Sequence, residues 1–95
     1  MPEIQFKVQW PDGSQDLCYS PSLVVKEYLT PGESYSLDDF VSRSRTALTI
    51  ASDRVQQKYG FPCSRALGQL RQIEAKAEGY GGLDEPAVTM VEFTA

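Results

Sequence analysis

Between Leu37 and Tyr59, Leu37, Phe40, Val41, Ser44, Ala47, Leu48, Ala51, Val55 and Tyr59 recur at helical spacing, a continuous stripe that only a helix places on one face. Ser36 stands where an N-cap belongs, and Asp39 is a weaker stand-in for the capping-box Glu. Asp38 and Asp39 in the first turn and Lys58 in the last complement the helix dipole. Gly60 suits the left-handed position after the last turn. A helix over 37–59 is therefore predicted. In a chain of 95 residues there is room for one core, so every other element must share it with this helix.

A strand is predicted over 3–10, where Ile4, Phe6, Val8 and Trp10 alternate with Glu3, Gln5, Lys7 and Gln9. Pro11-Asp12-Gly13-Ser14 then reads as a hairpin turn into a second strand over 15–19. An even-numbered loop puts Leu17 and Tyr19 on the apolar face and leaves Cys18 on the other. A three-residue loop would instead bring Ser14, Asp16, Cys18 and Ser20 there, so burial favours the even register. A short helix is predicted over 22–29 from Val24, Val25, Tyr28 and Leu29, ended by Thr30-Pro31-Gly32, with Glu33 to Tyr35 extended.

A second amphipathic helix is predicted over 64–78 from Ala66, Leu67, Leu70, Ile73 and Ala77. Gly68 inside it costs roughly 1 kcal/mol against Ala, which predicts a close approach to Ser44, Ala47 and Ala51. A last strand is predicted over 87–94. There Val88 and Met90 face one way and Ala87, Val91 and Phe93 the other, the pattern of a strand covered on both faces or at a contact. The fold class expected is α+β: a single domain in which a small antiparallel sheet, the N-terminal β-hairpin plus the C-terminal strand, packs against two amphipathic helices and one short helix.

Composition narrows the chemistry. The chain has no histidine, which removes Ser-His-Asp and Cys-His catalysis, histidine-ligated metals and imidazole switching. Two cysteines, Cys18 and Cys63, are too few for a disulfide scaffold or a four-cysteine metal site, and no cofactor or metal is expected. The start lacks the basic and then apolar pattern of a secretory signal and no apolar run is long enough to span a bilayer, so a cytoplasmic location with no membrane contact is expected. The net charge of −4 argues against a protein that coats nucleic acid. That total conceals a polarity. Residues 41–72 hold Arg43, Arg45, Arg54, Lys58, Arg65 and Arg71 against the single acid Asp53, a net +5, and the remainder carries −9.

Four groups of residues merit attention as sites. Cys63, Ser64 and Arg65 fall at the start of the second long helix, where outward-pointing amides lower a thiol pKa or hold an anion. The plain alternative is a buried cysteine and an arginine paired with an acid elsewhere. The adjacent carboxylates Asp38 and Asp39 point about 100° apart on a helix and cannot share a proton, so they serve the helix start. Of the five tyrosines, Tyr80 stands out because glycines on both sides leave it little local cover, which makes it a partner-surface candidate. The surrounding Gly79 to Gly82 run reads as linker. Arg43, Arg45, Arg54 and Lys58 complete the candidate partner surface, although Arg43 is placed to pair with Asp39 one turn earlier.

The chain resembles a family of small bacterial proteins described as nitrogen starvation response proteins. The resemblance rests on WPDGS at 10–14, CYSPS at 18–22 followed by VVKEY, Tyr35-Ser36-Leu37 leading to Phe40, SRTALTIASDRV at 44–55, and YGFPCSRAL at 59–67. It implies a gene that travels in a nitrilase cluster with a radical-SAM protein, an acetyltransferase, a flavoprotein and a synthetase-like protein, linked to nitrile or cyanide nitrogen use. It brings no catalytic residues.

These readings together favour a non-catalytic accessory protein that binds another protein of its cluster, with self-association as a further outcome of the charge polarity. The alternative is a small-molecule or anion-binding module at Cys63-Ser64-Arg65. An enzyme with Cys63 as nucleophile would have to work without a histidine base.

Overall fold

The computed structural model describes residues 3–94. The strand β1 (Ile4–Gln9) pairs antiparallel with β2 (Gln15–Ser20), and a 3-10 helix (Leu23–Glu27) follows. A short strand β3 (Ser34–Ser36) leads directly into α1 (Leu37–Tyr59), then α2 (Ser64–Glu78) and β4 (Ala87–Thr94). The sheet is antiparallel with the order β2-β1-β4-β3. The last strand therefore runs through the middle beside the first, and the extended segment before α1 is paired as an edge strand.

Both long helices form where local chemistry demands. The Ser36 side chain accepts from the Asp39 amide at 3.2 Å. Gly60 adopts a φ of +87° while its N–H donates to the Gln56 carbonyl at 2.8 Å, closing α1 as the sequence predicts. The short helix is tighter and shorter than expected. Ser22 caps it through Val24, and Val24, Val25 and Leu29 are buried beneath it.

The hairpin register differs from the expectation. Phe6 pairs with Cys18, Val8 with Asp16 and Ile4 with Ser20, so Cys18 and Ser20 are buried while Leu17 is 52% exposed. Turn chemistry decides it. Trp10 N–H donates to the Ser14 carbonyl and Gly13 N–H to the Trp10 carbonyl, enclosing the three residues Pro11-Asp12-Gly13 with Gly13 at a φ of +88°. This is the turn-plus-bulge hairpin that needs glycine at its last loop position. Asp12 fixes it by accepting from both the amide and the hydroxyl of Ser14. Those two bonds, with Tyr80 nearby, bring the Asp12 carboxyl down to about 2.

The imperfect alternation of β4 has a different cause from burial on both faces. Phe6 pairs with Phe93 but Val8 with Met90, so one extra residue is accommodated in β4 between Lys7 and Val8 of β1. This bulge reverses the parity of the strand. Val88, Met90 and Phe93 consequently all belong to the face that carries Phe6 and Val8, the first two fully buried and Phe93 half-buried.

At the turn end of the sheet, Trp10 is 2% exposed. Its ring meets the Phe40 edge at 5.6 Å and stacks on Tyr80 at 5.7 Å. Its indole N–H donates to Asp16 at 2.8 Å, and Asp16 in turn pairs with Lys76 of α2 at 2.9 Å. The opposite end is unlike this. A 23-residue helix runs about 34 Å at 1.5 Å per residue, against about 20 Å for a six-residue strand. The buried stripe of α1 accordingly stops at Ser52, Val55 is half-buried, and Tyr59 is 55% exposed.

Gly68 has no close neighbour: a Cβ there would meet nothing within 4 Å. The expected approach to α1 at that residue does not occur. The small residues Ser44, Ala47 and Ala51 are nonetheless fully buried, and among the described residues the Ser44 hydroxyl has no hydrogen-bond partner.

Candidate functional site

Helix α2 starts at Ser64 with Cys63 as its N-cap, but the thiol makes no capping hydrogen bond. The Cys63 amide instead donates to the buried Ser52 hydroxyl of α1 at 3.1 Å, which ties the turn to the long helix. Ser64 is exposed. Arg65 turns away from the helix start, its guanidinium 3.9 Å over the Tyr19 ring, while the Tyr19 hydroxyl donates to Glu3 at 3.2 Å. Burial, then the neighbouring Cys63 and the bond to Glu3, push the Tyr19 hydroxyl above its ordinary value, so it remains a neutral donor. Cys63 and Arg65 face two adjoining clefts that share Glu3 and Tyr19. A carboxylate thus sits where an anion would bind, and the guanidinium lies on an aromatic ring.

The other cations divide into two sets. Arg43 donates to Asp39 and to the Tyr28 carbonyl, both at 2.9 Å, and lies 4.8 Å over the Tyr35 ring. Arg45 bridges the helices to Glu74 at 2.8 Å. Both are held within the fold. Arg54 reaches the Ser22 hydroxyl at 3.2 Å, and Lys58 lies 5.6 Å over the Tyr59 ring. Among the described residues, Arg54, Lys58, Arg65 and Arg71 have no carboxylate partner. Tyr80, placed on the partner surface by its glycine neighbours, is half-buried against Trp10.

What the structure assembles is a tip. From Asp53 to Arg65 no residue is buried, and this stretch forms the turn end of the α1–α2 hairpin, where Val55, Tyr59 and Cys63 border the cleft that Glu3, Tyr19 and Pro21 also line. Phe61 is 65% exposed there, beside Tyr59. The run from Arg54 to Ile73 holds four cations and not one Asp or Glu. In the sequence Tyr59 belongs to the helix stripe and Phe61 falls between the two predicted helices, so neither is picked out there as a surface group. The signal was present: Phe61 stands between the helix-ending Gly60 and Pro62, so no regular element carries its ring to a core.

Two exposed aromatic residues, one with Lys58 over its ring, in a stretch that also carries Arg54 and Arg65 have the composition of a protein-binding surface, where Tyr, Phe and Arg are enriched. Among the described residues, no three His, Cys, Asp or Glu side chains gather as a metal-binding group, and no helix is long and apolar enough to cross a membrane. Fold and site together define a small α+β domain whose two long helices are joined by an exposed turn that carries aromatic and cationic side chains. The chain matches the family described as nitrogen starvation-induced protein NitG over residues 5–93, and it belongs to that family. None of the curated proteins and none of the solved structures compared with it matches.

Proposed function

We propose that this protein is a non-catalytic accessory protein of a nitrilase-type gene cluster, acting in the cytoplasm under nitrogen limitation by docking on another protein of that cluster. The family description supplies the link to nitrogen starvation. The observation that supports the docking role is the tip, where Tyr59 and Phe61 are more than half exposed among cations that, among the described residues, lack a carboxylate partner. The partner surface that fits is acidic with an apolar centre. Opposite charge steers encounter and the aromatic rings supply desolvated contact area.

The test is co-expression with each cluster protein in turn, followed by co-purification at low and high salt. A complex that weakens as salt rises and is lost on Lys58→Glu with Phe61→Ser supports the reading. Elution alone from every cluster protein overturns it.

A further inference from the structure

The end of the molecule opposite the tip carries its complement. Two adjoining clefts of about 490 and 460 Å³ lie where the start of α1, the end of α2 and the Gly81–Ala87 connection meet, and both contain Leu37, Asp38 and Gly81. Leu37, Val41, Ala77 and Pro86 give this groove an apolar lining. Asp38, Glu78 and Glu85 also line it, and among the described residues none of the three has a cationic partner, whereas Arg45 of the same lining is already neutralised by Glu74 at 2.8 Å. Glu85 is held there with a φ of 48°, outside the usual range for a residue with a side chain. The groove therefore offers apolar surface bordered by free negative charge, and the tip offers exposed aromatic rings bordered by free positive charge.

We propose that the groove of one copy receives the Tyr59–Phe61 tip of a second copy, so that the protein self-associates head to tail. This inference rests on the reading of the tip as an interaction surface given above. One copy cannot satisfy itself, because tip and groove lie at opposite ends of a helix about 34 Å long. The two patches differ, so the contact is heterologous and propagates from copy to copy instead of closing as a two-fold dimer. Salt screens the attraction, since the Debye length falls from about 10 Å at 0.1 M to about 3 Å at 1 M.

Sedimentation velocity and mass photometry of the full chain test this over a range of concentrations in low and high salt. Wild type should show a mass that climbs with concentration at low salt and returns to the monomer at 1 M salt, with association weakened at least about tenfold. A tip variant (Lys58→Glu with Phe61→Ser) and a groove variant (Glu78→Lys with Glu85→Lys) should each be monomeric. Asp38 is left in place because it supports the start of α1. Mixed together, the two variants should form a one-to-one dimer and go no further, since each retains the half that the other lacks. Circular dichroism and Trp10 fluorescence confirm that both variants are folded. Wild type that stays monomeric at low salt overturns the inference, as does a mixture that fails to dimerise while wild type assembles. If wild type is monomeric yet the tip variant still loses its cluster partner, the docking role stands and only self-association falls.

Discussion

The two hairpin turns of this protein treat their side chains in opposite ways. At the β1–β2 turn almost every polar and aromatic group is used internally: Trp10 lies between Phe40 and Tyr80, its N–H goes to Asp16, Asp16 holds Lys76, and Asp12 holds Ser14. At the α1–α2 turn the aromatic rings are exposed and the cations lack carboxylates among the described residues. Folding accounts for the first turn completely. It leaves the second with surface that a partner can use, and this contrast is what the proposed docking role rests on.

The contrast predicts unequal costs. Trp10→Ala removes a ring buried on two sides and leaves a cavity, and should lower stability by about 3–5 kcal/mol in urea titration. Phe61→Ser also removes an aromatic ring but should change stability by no more than about 0.5 kcal/mol, because that ring buries little surface. Equal losses at the two sites would show that the tip is part of the core after all.

The cysteines divide along the same line. Burial pushes the Cys18 thiol up to about 12. Its folded value lies above its unfolded value of 9.0, so this contribution is intact below pH 9 and is lost as pH climbs toward 12. An alkaline loss on the order of a few kcal/mol is expected, and Cys18→Ala should flatten it. A thiol reagent added to the native protein should reach half-buried Cys63 and leave Cys18 untouched until the chain unfolds. Two thiols titrating at the same rate in the folded protein would contradict this.

The β-turn should also govern the acid limb. Hydrogen bonds from Ser14 bring Asp12 down to about 2, and the bond from Lys76 lowers Asp16. Both folded values lie below the unfolded carboxylate value of 3.8, so their stabilisation is present above it and is lost as pH falls through the folded values, for Asp12 at about 2. Asp16→Asn should reduce the slope of stability against pH on this acid side, as measured by urea titration at a series of acid pH values.

Smaller effects come from two positions between the ends. Gly68→Ala meets open space in a helix interior and should stabilise by about 0.5–1 kcal/mol. Ser44→Ala removes a buried hydroxyl that lacks a partner, and should raise stability by about 1 kcal/mol in thermal unfolding. A loss at Gly68 would reveal a crowding that the backbone geometry does not contain.

Legibility of the fold followed the range of the interactions. The helix limits at Ser36 and Gly60 are set by residues within one turn, and the sequence predicts them directly. The hairpin register depends on the Asp12-Gly13 bulge and on a Trp10–Asp16–Lys76 chain whose last link spans 60 residues. Counting apolar residues favours Leu17 and Tyr19 for the core because it gives Cys18 and Ser20 too little weight. Ser20 is buried at no loss, since its hydroxyl donates to the Ser22 carbonyl at 2.7 Å. The parity change in β4 was hidden for a similar reason: a bulge belongs to a pair of strands, and neither sequence states it alone. At the candidate site, the excess of cations on 41–72 is plain in the sequence, but which of them are free is decided by Asp39 and Glu74 in space.

The central claim is that the helical tip is there for a partner and contributes little to folding. The most direct measurement compares wild type with Lys58→Glu, Phe61→Ser in two readouts on the same preparations: the thermal midpoint, and co-elution with the cluster protein that wild type retains at low salt. The account predicts an unfolding midpoint within about 2 °C of wild type together with loss of the complex. A complex that survives the double substitution, or a variant that no longer folds, would contradict it.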